Sequence, residues 1–82
     1  MAGRSLPTLR QFISKAFQYG VQEAIIEEKL PSGRLKHKFS YLRRDNLTVV
    51  VPTMRESDRL TEAVFGYFLR GLQLEPFEDE LR

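Results

Sequence analysis

The sequence predicts a small α+β domain of order α-β-β-β-α, a three-stranded antiparallel sheet with two helices packed on one face. Three observations carry this. A helix-capping signal at Thr8 precedes apolar residues at helical spacing, three β-type segments follow with hairpin-length turns between them, and a second amphipathic stretch closes the chain. With 82 residues, 41% hydrophobic and 29% charged, the chain has room for one core. The expected organisation is a flexible N-terminus over 1–7, one domain over 8–74, and an acidic C-terminal tail or short helix over 75–82.

The first helix is expected to start at Thr8, where "PTLRQ" supplies an N-cap and Gln11 three residues on. Leu9, Phe12, Ile13, Ala16 and Phe17 form its buried stripe, and Gly20 ends it. The rival reading continues the helix through Gly20 to Leu30. It ranks second, because a mid-helix glycine costs about 1 kcal/mol against alanine. "VQEAIIEEKL", "RLKHKFSYL" and "LTVVVP" then read as strands, with "PSG" and "RRDN" as the turns between them. The spacing predicts the second helix from Thr53, where "PTMRE" repeats the capping pattern with Glu56. Its apolar positions are Leu60, Ala63, Val64, Tyr67 and Phe68, and it stops near Gly71.

Composition narrows the function classes. The chain has no cysteine and one histidine, so thiolate zinc sites, disulfides and histidine-rich metal sites are excluded. Neither a metal nor a cofactor is expected. There is no apolar run of membrane-spanning length and no secretion-signal pattern at the start, so the expectation is a cytoplasmic protein without a membrane partner. A chain this short favours a surface or groove site over an enclosed cavity. The net charge is +2, but Glu75, Glu78, Asp79 and Glu80 cluster near the end, leaving the rest of the chain distinctly basic. That balance suits an anionic partner.

The densest chemistry lies in "GRLKHKFSYLRR", Gly33 to Arg44, which holds no acidic residue. Arg34, Lys36, Lys38, Arg43 and Arg44, with Lys29 before them, are the candidate nucleic-acid-binding residues. The alternative is a solvated strand, since lysines on strands also oppose sheet-to-sheet aggregation. His37 is the candidate catalytic residue, because an imidazole can take a proton from a ribose hydroxyl or give one to a leaving oxygen. Period two places Leu35, His37, Phe39 and Tyr41 on one face and Arg34, Lys36, Lys38 and Ser40 on the other. A site uniting His37 with its flanking lysines therefore requires a bulge, a strand end or strong twist.

The element order, with "LKHKF" before a turn, then "LTVVVP", a helix and a closing "LQLEPFEDEL", resembles the HicA toxin family over roughly residues 8 to 80. The resemblance implies a double-stranded-RNA-binding-like fold acting as a metal-independent, mRNA-cleaving ribonuclease, blocked by a HicB-type antitoxin. The family typically shows Gly-Ser-His entering the second strand, with that histidine catalytic. Here Gly33 is followed by Arg34, Leu35 and Lys36 before His37. Alignment on Gly33 puts the catalytic position on Leu35, and alignment on "HKF" puts it on Lys36. Only a turn two residues longer makes His37 catalytic. The expected partners are therefore RNA and an antitoxin protein. The alternatives are a non-catalytic nucleic-acid binder and a protein-interaction module that homodimerises or offers a strand edge or the helix aromatics Phe65, Tyr67 and Phe68.

Overall fold

In a computed structural model, which describes residues 5–82, Thr8 caps the first helix, α1 (Leu9–Ala16), through a complete capping box. The Gln11 N–H donates to the Thr8 hydroxyl at 3.2 Å, and the Thr8 N–H donates to Gln11 Oε1 at 3.0 Å. A 3₁₀ turn, Phe17–Tyr19, extends the helix to Gly20, whose φ of 89° is the left-handed cap that favours glycine, and Phe17, expected in the buried stripe, falls in this tighter turn and stands exposed. The chain then enters β1 (Gln22–Lys29), β2 (Leu35–Arg44) and β3 (Leu47–Val51), paired antiparallel in the order β1-β2-β3. The α+β class and the three-stranded antiparallel sheet follow the sequence expectation, and the rival helix through Gly20 does not form.

The β1–β2 turn is built from Leu30 to Gly33. The Gly33 N–H donates to the Leu30 carbonyl at 2.8 Å, Pro31 supplies the fixed φ, and Gly33 takes a φ of 87°. At the other end, Arg43 and Arg44 were expected in a turn but belong to β2, paired with Thr48 and Leu47. Only Asp45 and Asn46 make the turn, with Asp45 at a φ of 54°.

The second helix is shorter than the sequence suggested. It is α2 (Glu62–Gly71), capped by Thr61, whose hydroxyl accepts from the Val64 N–H at 3.2 Å. The "PTMRE" segment is a loop instead. It and the residues just after it cap α1: the Arg10 N–H donates to the Glu56 carbonyl at 3.0 Å and the Leu9 N–H to the Asp58 carbonyl at 2.9 Å. These bonds satisfy two first-turn donors of α1 that no intrahelical partner reaches.

The core lies between the helices and the body end of the sheet. Phe12 sits 5.9 Å from Phe65 and 5.3 Å from Phe68, centroid to centroid, above Leu42 and Val49. The chain end joins this core through a 3₁₀ turn, Glu75–Phe77, and a short helix, α3 (Glu78–Leu81). Leu74 and Leu81 are fully buried, so the acidic segment docks on the body, with Glu75, Asp79 and Glu80 facing water. Of the expected flexible 1–7, residues 1–4 lie outside the described residues. Leu6 and Pro7 pack on the body, and the Pro7 carbonyl accepts from the Leu60 N–H at 2.9 Å.

Candidate functional site

The basic stretch lies on an arm. Toward the turn, β1 and β2 run beyond the cover of the helices. Every residue of β1 is exposed, as is β2 from Leu35 to Phe39. The radius of gyration is 14.1 Å and the longest axis 54 Å, against about 12 Å for the radius of a compact chain of this length. Large apolar side chains stand on this arm. Ile25 and Ile26 are 52% and 53% exposed, with Leu35 at 49% and Phe39 at 40%. They occur on both faces of the hairpin, since cross-strand partners share a face and neighbours alternate.

Register defines those faces. Ala24, Ile26 and Glu28 of β1 stand opposite Tyr41, Phe39 and His37 on the open side of the sheet. Glu23, Ile25 and Glu27 stand opposite Leu42, Ser40 and Lys38 on the side that carries the core at its body end. Beyond the Glu28–His37 pair the register slips, so that Lys29 opposes Leu35 and Lys36 is the extra residue. This is a β-bulge. It removes Leu35 from the His37 face, correcting the simple period-two assignment, and it brings Lys36 toward the carboxylate that faces His37. Lys36 Nζ lies 3.5 Å from Glu28 Oε1. The His37 ring stands beside Phe39, with 5.5 Å between centroids. No hydrogen-bonding acid or base is set against the imidazole among the described residues.

The other sequence candidates divide by what they touch. Lys38 faces Glu27 across the ladder, so β1 sets carboxylates along the basic strand. Lys29 and Arg34 flank the turn, where the Leu30 N–H bonds the Arg34 carbonyl at 2.8 Å. Arg43 Nε donates to the Asp45 carbonyl at 3.0 Å. Arg44 turns into the body, donating to the carbonyls of Tyr19, Leu72 and Gln73, each at 2.9 Å. Its guanidinium also lies 5.9 Å from the Phe77 ring centroid. The six cations therefore do not form one surface. Lys29, Arg34, Lys36 and Lys38 share the arm, while Arg44 is a structural clamp.

Two concave features adjoin the arm. A groove of about 400 Å³ runs between Ile25, Lys38 and Ser40 on one side and Pro52 and Met54 on the other. A shallower hollow of about 220 Å³ on the open face is lined by Ala24, Ile26, Tyr41, Arg43 and Thr48. Neither gathers acid–base groups into a catalytic arrangement. Among the described residues no group of three His, Asp or Glu side chains is placed to hold a metal ion. Also among these residues, no helix is long and apolar enough to cross a membrane.

The helix aromatics offered as an exposed surface are mostly core. Phe65 and Phe68 are buried because the inward stripe of α2 is Phe65, Phe68, Leu69 and Leu72. Tyr67 is half in solvent, and its hydroxyl accepts from the Val50 N–H at 3.1 Å. Sequence reading missed the adjacent Ile25 and Ile26 as a surface. The signal was present: on a strand, consecutive isoleucines point to opposite faces, and a sheet with one covered face leaves one of them in water. No protein-family model, curated protein or solved structure matches this chain.

Proposed function

We propose that this chain is a non-catalytic protein-interaction module of the cytoplasm that engages a polypeptide through its β1–β2 arm. The observation that carries this is the concentration of exposed Ile25, Ile26, Leu35 and Phe39 on one projecting hairpin, beside a body whose core is closed. Clustered apolar exposure of this kind marks interaction sites, and an exposed strand is the usual element for peptide or sheet addition. A photoreactive residue at Ile26 tests it in cells. Adducts with polypeptide from that position, and none from the exposed Phe17 of the body, are expected. Absence of polypeptide adducts at Ile26 overturns it.

A second reading, an RNA-directed module resembling the HicA toxins, is favoured by the bulge that moves Lys36 toward the Glu28–His37 pair. In that case Lys29, Arg34, Lys36 and Lys38 contact phosphate, His37 is the acid or base, and an antitoxin is the polypeptide partner. Cleavage of total RNA by the native chain but not by His37→Ala would support it. RNA affinity without cleavage, falling with salt at a log–log slope of about −0.7 to −0.9 per phosphate contact, would reduce it to a binder.

A further inference from the structure

We infer that the arm's partner is a second copy of this chain, joined β1 to β1 about a two-fold axis centred on Ile26 to continue the sheet across both copies. This rests on the interaction-module reading and names its partner. The sheet has two outer strands, and they differ. On β3 the outward N–H of Val50 is taken by the Tyr67 hydroxyl. On β1 no backbone hydrogen bond to a further element occurs among the described residues: the strand pairs only with β2 and is exposed throughout. Such an edge offers unpaired N–H and C=O groups to another strand.

The sequence of β1, "QEAIIEEK", selects the register. In an antiparallel pair, opposed residues either both point their N–H and C=O groups at each other or both point them away. A two-fold pair of identical strands therefore centres on a residue and never between two. Centring on Ile25 opposes Glu23 with Glu27 of the second copy, and centring on Glu27 opposes that residue with itself. Like charges directly opposed are destabilising. Centring on Ala24 leaves Glu27, Glu28 and Lys29 outside the pairing. Centring on Ile26 overlaps Glu23 to Lys29 in both copies, opposes Ile26 with Ile26, and sets Glu23 against Lys29 at each end.

That register meets the needs of groups the single chain leaves open. Glu23 and Lys29 have no ion-pair partner among the described residues, whereas Glu28 already has Lys36. On the open face, Ile26 stands beside Phe39, so joining the copies makes an unbroken apolar row of Phe39, Ile26 and their two symmetry mates. The edge amides, the free charges and the exposed isoleucine are thus covered by one operation.

The absence of cysteine makes the register directly testable. Directly opposed residues have Cα atoms about 4.5 to 5.5 Å apart, within disulfide reach. Ile26→Cys is expected to oxidise to a covalent dimer, while Ala24→Cys, which would face Glu28 of the other copy, is not. Sedimentation equilibrium of the native chain should show dimer. Glu23→Lys and Lys29→Glu should each weaken association about tenfold, since each places like charges at both ends of the interface. The double variant Glu23→Lys/Lys29→Glu should recover native association. All these positions are exposed, so the monomer's fold is not at stake. A native chain monomeric at every concentration, cross-linking through Ala24→Cys but not Ile26→Cys, or a double variant no better than the singles overturns the pairing. If the chain is monomeric yet the photoreactive residue at Ile26 captures other polypeptides, the pairing fails while the interaction-module reading stands.

Discussion

Arg44 Nη1 donates to the carbonyl of Leu72 at 2.9 Å, tying the end of β2 to the last turn of α2 across 28 residues of sequence. The same guanidinium reaches the carbonyls of Gln73 and Tyr19, so one side chain satisfies the C-terminal ends of two helical segments. Helix C-termini carry partial negative charge and carbonyls without intrahelical donors, and a planar fork of N–H groups suits them.

Removing that clamp should therefore cost stability rather than only surface charge. Arg44→Ala is expected to lose about 2 to 3 kcal/mol, the range for charge-assisted hydrogen bonds lost together with their packing. Arg44→Lys should recover only a minority of it, because one ammonium cannot span three carbonyls in the same geometry. Urea denaturation checks this through a lowered midpoint at unchanged slope. If Arg44 were instead a free phosphate contact, the midpoint would not move.

Two glycines of α2 separate packing from propensity. A Cβ on Gly71 would clash with Val49 Cγ1, at the point where the helix crosses β3. Gly71→Ala should destabilise by about 1 to 3 kcal/mol through overpacking, outweighing the helix-propensity gain of about 1 kcal/mol. A Cβ on Gly66 would meet only the Arg70 side chain, with Nη1 at 3.0 Å, and that flexible group can move. Gly66→Ala should therefore raise stability by up to about 1 kcal/mol. Paired thermal melts of the two variants, shifting in opposite directions, check the contrast.

How far the sequence could be read depended on the range of the interactions. The start of α1 and its stop at Gly20 were legible, because a capping box and a left-handed cap are made within a few residues. The same letters at Thr53 and Glu56 misled. Their segment forms no helix, and the carbonyls of Glu56 and of Asp58 just beyond it accept instead from Arg10 and Leu9 on the far side of the fold. The arm's cations were legible as residue types but not as a surface. The carboxylates facing Lys36 and Lys38 come from β1, and the clamp role of Arg44 depends on where α2 ends. Period two left a bulge, a strand end or strong twist as the ways to unite His37 with its flanking lysines, and the pairing shows the bulge. Its place, at Lys36, is fixed by pairing with β1.

The short terminal helix should prove integral to the domain. Leu81 is fully buried, and Arg82 holds Glu78 at 3.0 Å and Glu62 of α2 at 3.1 Å. Leu81→Ala should cost about 2 to 5 kcal/mol, the range for a buried leucine truncated to leave a cavity. Arg82→Ala should cost less, because the Glu62 end of its network is largely solvated. Chemical denaturation of both variants tests the ranking, and an unaffected Leu81→Ala would mean that this segment does not belong to the core.

The loop that caps α1 should loosen in acid. Asp58 accepts the Arg55 N–H at 2.9 Å, and that backbone hydrogen bond, with the Arg55 guanidinium 3.3 Å away, holds its carboxyl below the ordinary 3.8. A carboxyl whose pKa is depressed by folding releases its proton more readily in the folded state, so it stabilises the fold above its unfolded pKa. As pH falls through the lower folded value, both states become protonated and the contribution disappears. The Asp58 carbonyl caps Leu9, so the loss should be felt at the first turn of α1. Amide exchange at Leu9 and Arg10, followed from pH 5 downward after correction for intrinsic rates, should show protection decreasing below the ordinary carboxylate range. In Asp58→Asn that decrease should vanish, with protection lower throughout. An identical acid response in native chain and variant would assign the titration to another carboxylate.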